Sequence, residues 1–480
     1  MGYTEKVVVI GAGISGLGCA YRLRQLGIHC LVFEAKERAG GVIATIRRNG
    51  YLFEAGPQFP RFPLPVWQLV RELNLESKFV PGDPKARRYI VRHGRLHPAP
   101  FSPKGLITTR LVGPGSKLRI LTEIFRSSQP PPREESLAEF VERKFGSEVL
   151  DYLVDPIIST IFFGDAHKMG MESAFPALVG WERNQGSLVR GALRARKSKR
   201  AAGRSDGSST RSRANADHNS LRVTDALPSL GTFTSGMGTL PERLAEELRA
   251  ETRYKAEIAF VAPLRDENGS STTGWQIGLL SGEKIATEHL VLAVPAYTAA
   301  QLLANSAPQL ASHLRAIEYA PMCAVSSAYD RSKVANALDG FGFMVPRREG
   351  LQTICTFWNS SLFPQRAPEG KVLMTSFAGR GMSADVGAMQ GETCAQIVEA
   401  ESARILGITG GPVDRMVWKD PRALPQYNVG HAQRVEEIDA ILRTLPNLHL
   451  AGNFLRGRSI GDCVEIAFRV AEDVHSHLRG

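Results

Sequence analysis

No Cys-x-x-Cys pair occurs in this chain, and its six cysteines (Cys19, Cys30, Cys323, Cys355, Cys394, Cys463) are scattered, with no histidine at metal-ligand spacing. That pattern argues against a structural metal site and reads as isolated buried thiols of a reducing compartment. No apolar run reaches the roughly 18 residues that a membrane-crossing helix needs. The first strand pattern begins a few residues after Met1, which leaves no room for a signal peptide. A cytoplasmic protein, soluble or peripheral to membrane, is expected. No Ser-His-Asp or Cys-His arrangement for nucleophilic catalysis is visible either. Acids are outnumbered, giving a net charge of +11, but the excess is local: ten Lys/Arg face two acids between Arg190 and Arg222, leaving only +3 for the rest. Large apolar side chains are scarce there and no aromatic platform accompanies it. The stretch is therefore expected to be a solvated basic loop with no role in nucleic-acid binding; attraction to anionic lipid headgroups is the alternative.

What is present starts at the N-terminus. The β-branched run Lys6–Ile10 leads into Gly11-Ala12-Gly13-Ile14-Ser15-Gly16, and a helical pattern follows through Leu17, Ala20, Leu23 and Leu26. In G-x-G-x-x-G the first glycine permits the turn, the second lets backbone approach a pyrophosphate, and the third lets helix pack on strand. The helix N-terminus offers unpaired N–H groups to phosphate. A second strand, Cys30–Phe33, ends in Glu34, placed to accept hydrogen bonds from a ribose. An acid there, where an arginine would suit a 2′-phosphate, argues against NADP.

The segment Glu34-Ala35-Lys36-Glu37-Arg38-Ala39-Gly40-Gly41 through Thr45 resembles the E-A-x-x-R-x-G-G-x-x-x-T extension of the flavin-dependent amine oxidase superfamily. The resemblance implies FAD, with Arg38 and Gly41 along the diphosphate and flavin. Near the C-terminus, Leu448–Asn453 reads as a short strand, and Gly461-Asp462-Cys463-Val464-Glu465 opens a helix in which Asp462 and Glu465 suit a capping box. In that superfamily this turn meets the flavin. Cofactor contacts are therefore expected at Gly11, Gly13, Ile14, Ser15, Gly16, Glu34, Ala35, Arg38, Gly41, Gly56, Pro57, Gln58, Gly452, Asn453, Gly461, Asp462 and Val464. Cys463 reads as a small packed residue, not a covalent flavin attachment.

At 480 residues the chain exceeds one core. The expected class is α/β: a discontinuous Rossmann-like FAD-binding domain (1–93, 223–315, 413–480), a helical insert (94–220) holding the basic loop at about 190–222, and an α+β substrate-binding domain (316–412). Capping boxes are expected at Ser136–Glu139 and Thr239–Glu242, and a kink at Pro156.

The run Ser360-Ser361-Leu362-Phe363-Pro364-Gln365-Arg366-Ala367-Pro368 resembles the S-S-L-F-P-x-R-A-P segment of protoporphyrinogen oxidases, plant-type ones especially. Asp339–Pro346, Arg87–Ile90, Asp155-Pro156 through Gly164-Asp165, and Leu424–Tyr427 to His431 match that family in order. The resemblance implies haem or tetrapyrrole biosynthesis: six electrons leave a porphyrinogen in three steps through FAD, and O2 takes them to give H2O2. It also implies substrate contacts: Arg88 pairs a propionate, Phe341 stacks on a pyrrole, and Met322 lies on the opposite face. Thr160 stands where the family commonly has glycine, so a narrower pocket is expected. Gln58 and Arg61 lie near the flavin–substrate junction. Coproporphyrinogen III as substrate, and an amine oxidase or carotenoid desaturase as enzyme, remain alternatives; a scaffold without turnover is disfavoured by the intact phosphate loop. Peripheral membrane contact through Phe101, Leu106, Ile107 and Leu111 beside Lys104 and Arg110 is a further expectation, and a homodimer stays open.

Overall fold

Val7 and Val9 point to one side of a strand and Val8 and Ile10 to the other, so the run Lys6–Ile10 can be stable only with both faces covered. In the computed structural model, which describes residues 5–205, 230–265, 271–379 and 387–479, the strand Glu5–Ile10 pairs in parallel with Cys30–Phe33 and Lys284–Leu292. Leu448–Leu450 adds in parallel to Lys284–Leu292, Thr252–Arg253 extends one edge, and antiparallel Ser271–Leu279 and Ile258–Arg265 the other. Val7 and Val9 pack against Leu17 and Leu23 of helix Ile14–Gln25 and Val464 and Val470 of helix Ile460–Arg479. Val8 and Ile10 pack against Ala299, Leu310 and Leu314 from two short helices on the opposite face.

A second sheet runs in the order Asp414–Pro425, Tyr319–Asp330, Lys371–Ala378, Thr353–Phe357, Gly340–Met344, Arg87–Arg92, Arg95–Pro98. This corrects the expected domain boundaries. The divisions at 93/94 and 412/413 cut through one sheet, because the hairpin Arg87–Pro98 and the strand Asp414–Pro425 pair with strands of the 316–412 segment. Pairing satisfies backbone groups that a sheet edge would leave open. Strand partners so distant in sequence leave no local signature.

Helix Leu137–Phe145 has the expected capping box: Glu139 N–H donates to Ser136 Oγ (3.2 Å) and Ser136 N–H to the Glu139 carboxylate (2.9 Å). It stops at Gly146, φ +93°. The expected kink at Pro156 is a wider turn over Leu150–Val154, after which Pro156 sits in the first turn of a new helix, Asp155–Phe162, where its missing N–H is harmless. Two caps differ from expectation. Gly238, not Thr239, is the N-cap of helix Thr239–Glu247: its carbonyl accepts from Glu242 N–H (2.9 Å), and its own N–H is held by Thr45 Oγ1 (2.9 Å). Ser459 caps the C-terminal helix, its Oγ accepting from Asp462 N–H (3.1 Å) while Asp462 accepts from Ser459 N–H (2.8 Å). The basic stretch expected as a loop over 190–222 is helical as far as Ser205 (Leu188–Ser205). Alanine, arginine, lysine and leucine there are good helix formers, and buried Glu123 accepts the first N–H groups, from Leu188 (2.8 Å) and Val189 (3.1 Å). Residues 206–222 lie outside the described residues.

Candidate active site

The glycine turn is built by close approach. Gly11 has φ +104°, and a Cβ on Gly16 would sit 1.8 Å from the Gly11 carbonyl oxygen. Any side chain at position 16 would prise helix from strand. Gly13 is different: a Cβ there would meet nothing within 4 Å. Gly13 is also the N-cap of helix Ile14–Gln25, which has no side-chain cap and no acid in its first turn. Open space therefore lies before unsatisfied N–H groups, the arrangement that takes a phosphate.

Glu34, buried at the end of the second strand, accepts from Ala12 N–H (2.8 Å) and Lys36 N–H (3.0 Å). A carboxylate has about four acceptor positions, so it retains capacity for a ribose. Ala35 beside it is exposed. Arg38 donates to the carbonyls of Ala39 (3.0 Å) and Gly41 (2.9 Å); it folds its own loop instead of projecting from it. Gly41 lies against Gly13, an added Cβ coming within 3.3 Å of the Gly13 Cα.

The second helix N-terminus arrives beside the first. Cys463 is buried, its thiol bonds the Ser15 hydroxyl, and burial pushes it up to about 12. Gly18 faces Ala467 at van der Waals distance, so the two helices cross closely. Ile14 and Val464 are core residues, and Asp462 is engaged in the cap. Gly461 abuts Pro63, Gly452 abuts the Phe454 ring, and the Asn453 carbonyl accepts from Tyr427 Oη (2.7 Å). The paired helix N-termini, open Gly13 and spare Glu34 acceptors fit a dinucleotide such as FAD.

Gly56 packs on the Val42 backbone and leads through Pro57 to Gln58. Gln58 is buried and donates to the Gly56 carbonyl (3.0 Å) while accepting from Asn359 Nδ2 (2.7 Å). The same region holds buried Glu54, which accepts from Met237 N–H (2.8 Å), Thr45 Oγ1 (2.7 Å) and Arg366 Nη1 (2.5 Å). Arg366 also donates to Thr232 Oγ1 (2.5 Å). Arg366 of the Ser360–Pro368 motif thus ties strand Tyr51–Glu54 to strand Gly231–Phe233. Sequence reasoning missed Glu54, Thr232 and Asn359. Its being the one charged residue in Ser360–Pro368 was the available signal for Arg366.

The proposed substrate residues fall into two adjoining clusters. Gly340 and Gly342 let a bulged strand press against both neighbours: a Cβ at Gly342 would lie 2.0 Å from the Thr356 carbonyl oxygen, and one at Gly340 2.3 Å from that of Arg87. Phe341 between them stands edge-on to Phe59 (4.8 Å, 86°). The Arg88 guanidinium lies 4.4 Å from the Phe341 ring centroid and 5.6 Å from that of Phe101. Burial, with the Arg61 charge adding to it, lowers the Arg88 pKa. No ion pair to an acid is seen for Arg88 or Arg61 among the described residues. Met322 sits at a bulge of strand Tyr319–Asp330 among Phe163, Phe377 and Met344. Phe357 packs against both clusters. The Thr160 hydroxyl donates to the Pro156 carbonyl (2.7 Å) and bonds the buried Cys355 thiol. Asp155 and Asp165 both hold Arg347, and Gln426 donates to the Phe162 carbonyl (3.1 Å); these motif residues join elements. Leu111, expected on an exposed face, is wholly buried beneath Ile90 and Tyr152, whereas Phe101 and Ile107 are exposed, as are Leu118, Leu121 and Phe125. Among the described residues no helix is long and apolar enough to cross a membrane.

A family model described as flavin containing amine oxidoreductase matches residues 14–475. A chloroplastic protoporphyrinogen oxidase of Nicotiana tabacum is 30% identical over 98% of this chain and 85% of its own length. Protoporphyrinogen oxidase 1 of Arabidopsis thaliana is 29% identical over 99% and 89%. A coproporphyrinogen III oxidase of Bacillus subtilis is 26% identical over 99% and 98%. Cyclohexylamine oxidase of Brevibacterium oxydans shares the fold, with a TM-score of 0.67 at 17% identity over 99% of this chain and all of that one.

Proposed function

The chain belongs to the flavin containing amine oxidoreductase family, within its protoporphyrinogen oxidase group, as an FAD-dependent oxidase of porphyrinogens, and from that premise we propose that it oxidises protoporphyrinogen IX to protoporphyrin IX with O2 as acceptor and H2O2 as second product. Bound FAD supplies the two-electron acceptor for each of three successive oxidations. Glycines 11, 13 and 16 and the N-terminus of helix Ile14–Gln25 would hold its pyrophosphate, and Glu34 a ribose. Gly56, Pro57, Gln58 and the Gly452–Val464 segment would shape the flavin end. Arg88 would clamp a propionate while Phe341 and Met322 pack on the macrocycle, and the aromatic lining would keep water out. Pyrrole N–H protons can leave to solvent, so no buried general base is required. Thr160, whose hydroxyl is held by the Pro156 carbonyl, would narrow the pocket by its added side-chain bulk.

The observation that supports this most is Arg88: a half-buried cation stacked on Phe341 offers an apolar ring face and a carboxylate partner together. Arg61 beside it favours a second reading, coproporphyrinogen III, which carries more carboxylates. Oxidation of each porphyrinogen, followed by porphyrin fluorescence with peroxide measured in parallel, tests both; three peroxides per porphyrin are expected. Exposed Phe101, Ile107, Leu118, Leu121 and Phe125 would rest on a membrane surface. Flotation with anionic liposomes tests this, and absence of flotation with or without anionic lipid refutes it.

A further inference from the structure

Cys323 and Cys394, expected from the sequence to be isolated thiols, meet in the fold. Strand Tyr319–Asp330 alternates: Met322 and Ala324 face the cluster that holds Phe163 and Phe377, while Cys323 and Val325 face the other way. Helix Gly391–Leu406 covers that back face, and Cys394 in its first turn packs with Cys323, Val325, Ala378 and Val398. The Cys394 S–H donates to the Cys323 sulfur. Sulfurs in contact across two elements are the starting geometry for a disulfide.

The two thiols are not equivalent. The bond from Cys394 holds Cys323 below the ordinary thiol value against the effect of burial, and the Lys419 ammonium lowers it further. Cys394, which gives that bond, is pushed up. Burial pushes up Cys19, Cys30, Cys355 and Cys463 as well, so Cys323 alone of the six favours its thiolate. The thiolate is the nucleophile, which makes Cys323 the attacking sulfur and Cys394 the resolving one. Lys419 stands opposite Cys323 on the neighbouring strand, with its Nζ donating to the Met389 carbonyl (2.5 Å). Met389 and Val417 pack over the pair and, like Lys419, are only half-buried. A small oxidant therefore has a thin cover to pass.

We propose that Cys323 and Cys394 are a peroxide-sensitive dithiol whose disulfide staples helix Gly391–Leu406 to the back of the strand that carries Met322. The Cys323 thiolate attacks one oxygen of H2O2, the O–O bond breaks, and hydroxide leaves, taking up the proton that the thiol had lost. Cys323 is then a sulfenic acid. The Cys394 sulfur displaces its oxygen, which departs with the Cys394 proton as a second water. One peroxide is reduced to two waters and two thiols are oxidised to one disulfide. In a reducing compartment such a bond is transient and serves to sense the oxidant. The oxidase reading above supplies the peroxide, but the step itself needs only H2O2.

The test treats FAD-loaded protein with a slight excess of H2O2, alkylates the remaining thiols after denaturation and weighs the peptides. A pair joined through Cys323 and Cys394 is expected, lighter by two hydrogen atoms than the separate peptides and released by dithiothreitol. It should form roughly tenfold faster than any other cysteine oxidises. In Cys394→Ser, dimedone should trap Cys323 as the sulfenic acid; in Cys323→Ser, Cys394 should survive as a thiol. FAD content of each variant controls for folding. First oxidation at Cys19, Cys30, Cys355 or Cys463 overturns the proposal, as does retention of both thiols, or sulfinic acid at Cys323 without the cross-link. A second arm replaces added peroxide by porphyrinogen turnover, with and without catalase, and the same cross-link is expected only without it. A cross-link formed by added peroxide but not during porphyrin production overturns the H2O2 reading and upholds the dithiol.

Discussion

Removing the Arg366 guanidinium is expected to destabilise the protein more at pH 8 than at pH 5. Arg366 and Glu54 are each about 1% exposed at the side chain and pair at 2.5 Å. Burial raises the Glu54 pKa, and Arg366, Met237 N–H and Thr45 Oγ1 pull it back only in part. Arg366→Leu removes the largest opposing influence and leaves a carboxylate in an apolar surround. Breaking a buried pair in this way costs about 3–5 kcal/mol. The cost has a pH signature. Glu54 ionises near 4.5 in the unfolded chain but higher in the fold, so between those values the native state binds more protons than the unfolded one. Stability must fall as pH rises through that window, and more steeply in the variant, whose folded pKa is higher still. Below about pH 4.5 both states are protonated and only lost packing and the Thr232 bond remain. Thermal melts of FAD-loaded protein at pH 5, 6.5 and 8, compared by midpoint because several domains unfold, read this directly. The double variant Glu54→Gln/Arg366→Leu should lose the pH dependence. A deficit in Arg366→Leu that is the same at every pH, or no deficit, refutes the reasoning.

Other substitutions separate cofactor contact from packing. Gly13→Ala, whose Cβ meets nothing in the protein, should fold normally yet carry less flavin, seen as lower absorbance near 450 nm per chain; Gly16→Ala, 1.8 Å from a carbonyl oxygen, should fail to fold stably. Arg88→Gln should raise KM for the porphyrinogen roughly tenfold to a hundredfold, the worth of a charge-assisted pair of about 1.5–3 kcal/mol, with flavin content unchanged. In the helical insert, burial raises buried Glu182, but bonds from Arg143 (2.8 Å), Ser128 and Lys144 outweigh it and hold it near 2. Its contribution is present above pH 4.5 and lost as pH falls toward 2, so circular dichroism should show acid unfolding of wild type in that range and a smaller acid-dependent loss in Glu182→Gln.

Local chemistry made the first strand, the helices Ile14–Gln25 and Ile460–Arg479 and the glycine turn legible. Each is decided within about 25 residues, by β-branched alternation, glycine spacing and helical apolar period. The Gly340 and Gly342 motif was visible too, although its reason, a bulge pressed between two strands, was not. What escaped depended on partners far apart in sequence. Asp414–Pro425 looks like any half-buried strand, and only its register with Tyr319–Asp330 assigns it to the second sheet. Glu54 and Arg366 lie 312 positions apart, so neither identifies the other. The basic stretch after Arg190 went astray for another reason: Glu123 supplies a helix start from outside the segment.

The most direct test is turnover of FAD-loaded protein on protoporphyrinogen IX and coproporphyrinogen III, followed by porphyrin fluorescence, beside a polyamine and an aromatic amine. Porphyrin formation from at least one porphyrinogen, with neither amine consumed, is the expected result. Oxidation of an amine while both porphyrinogens stay reduced would contradict it.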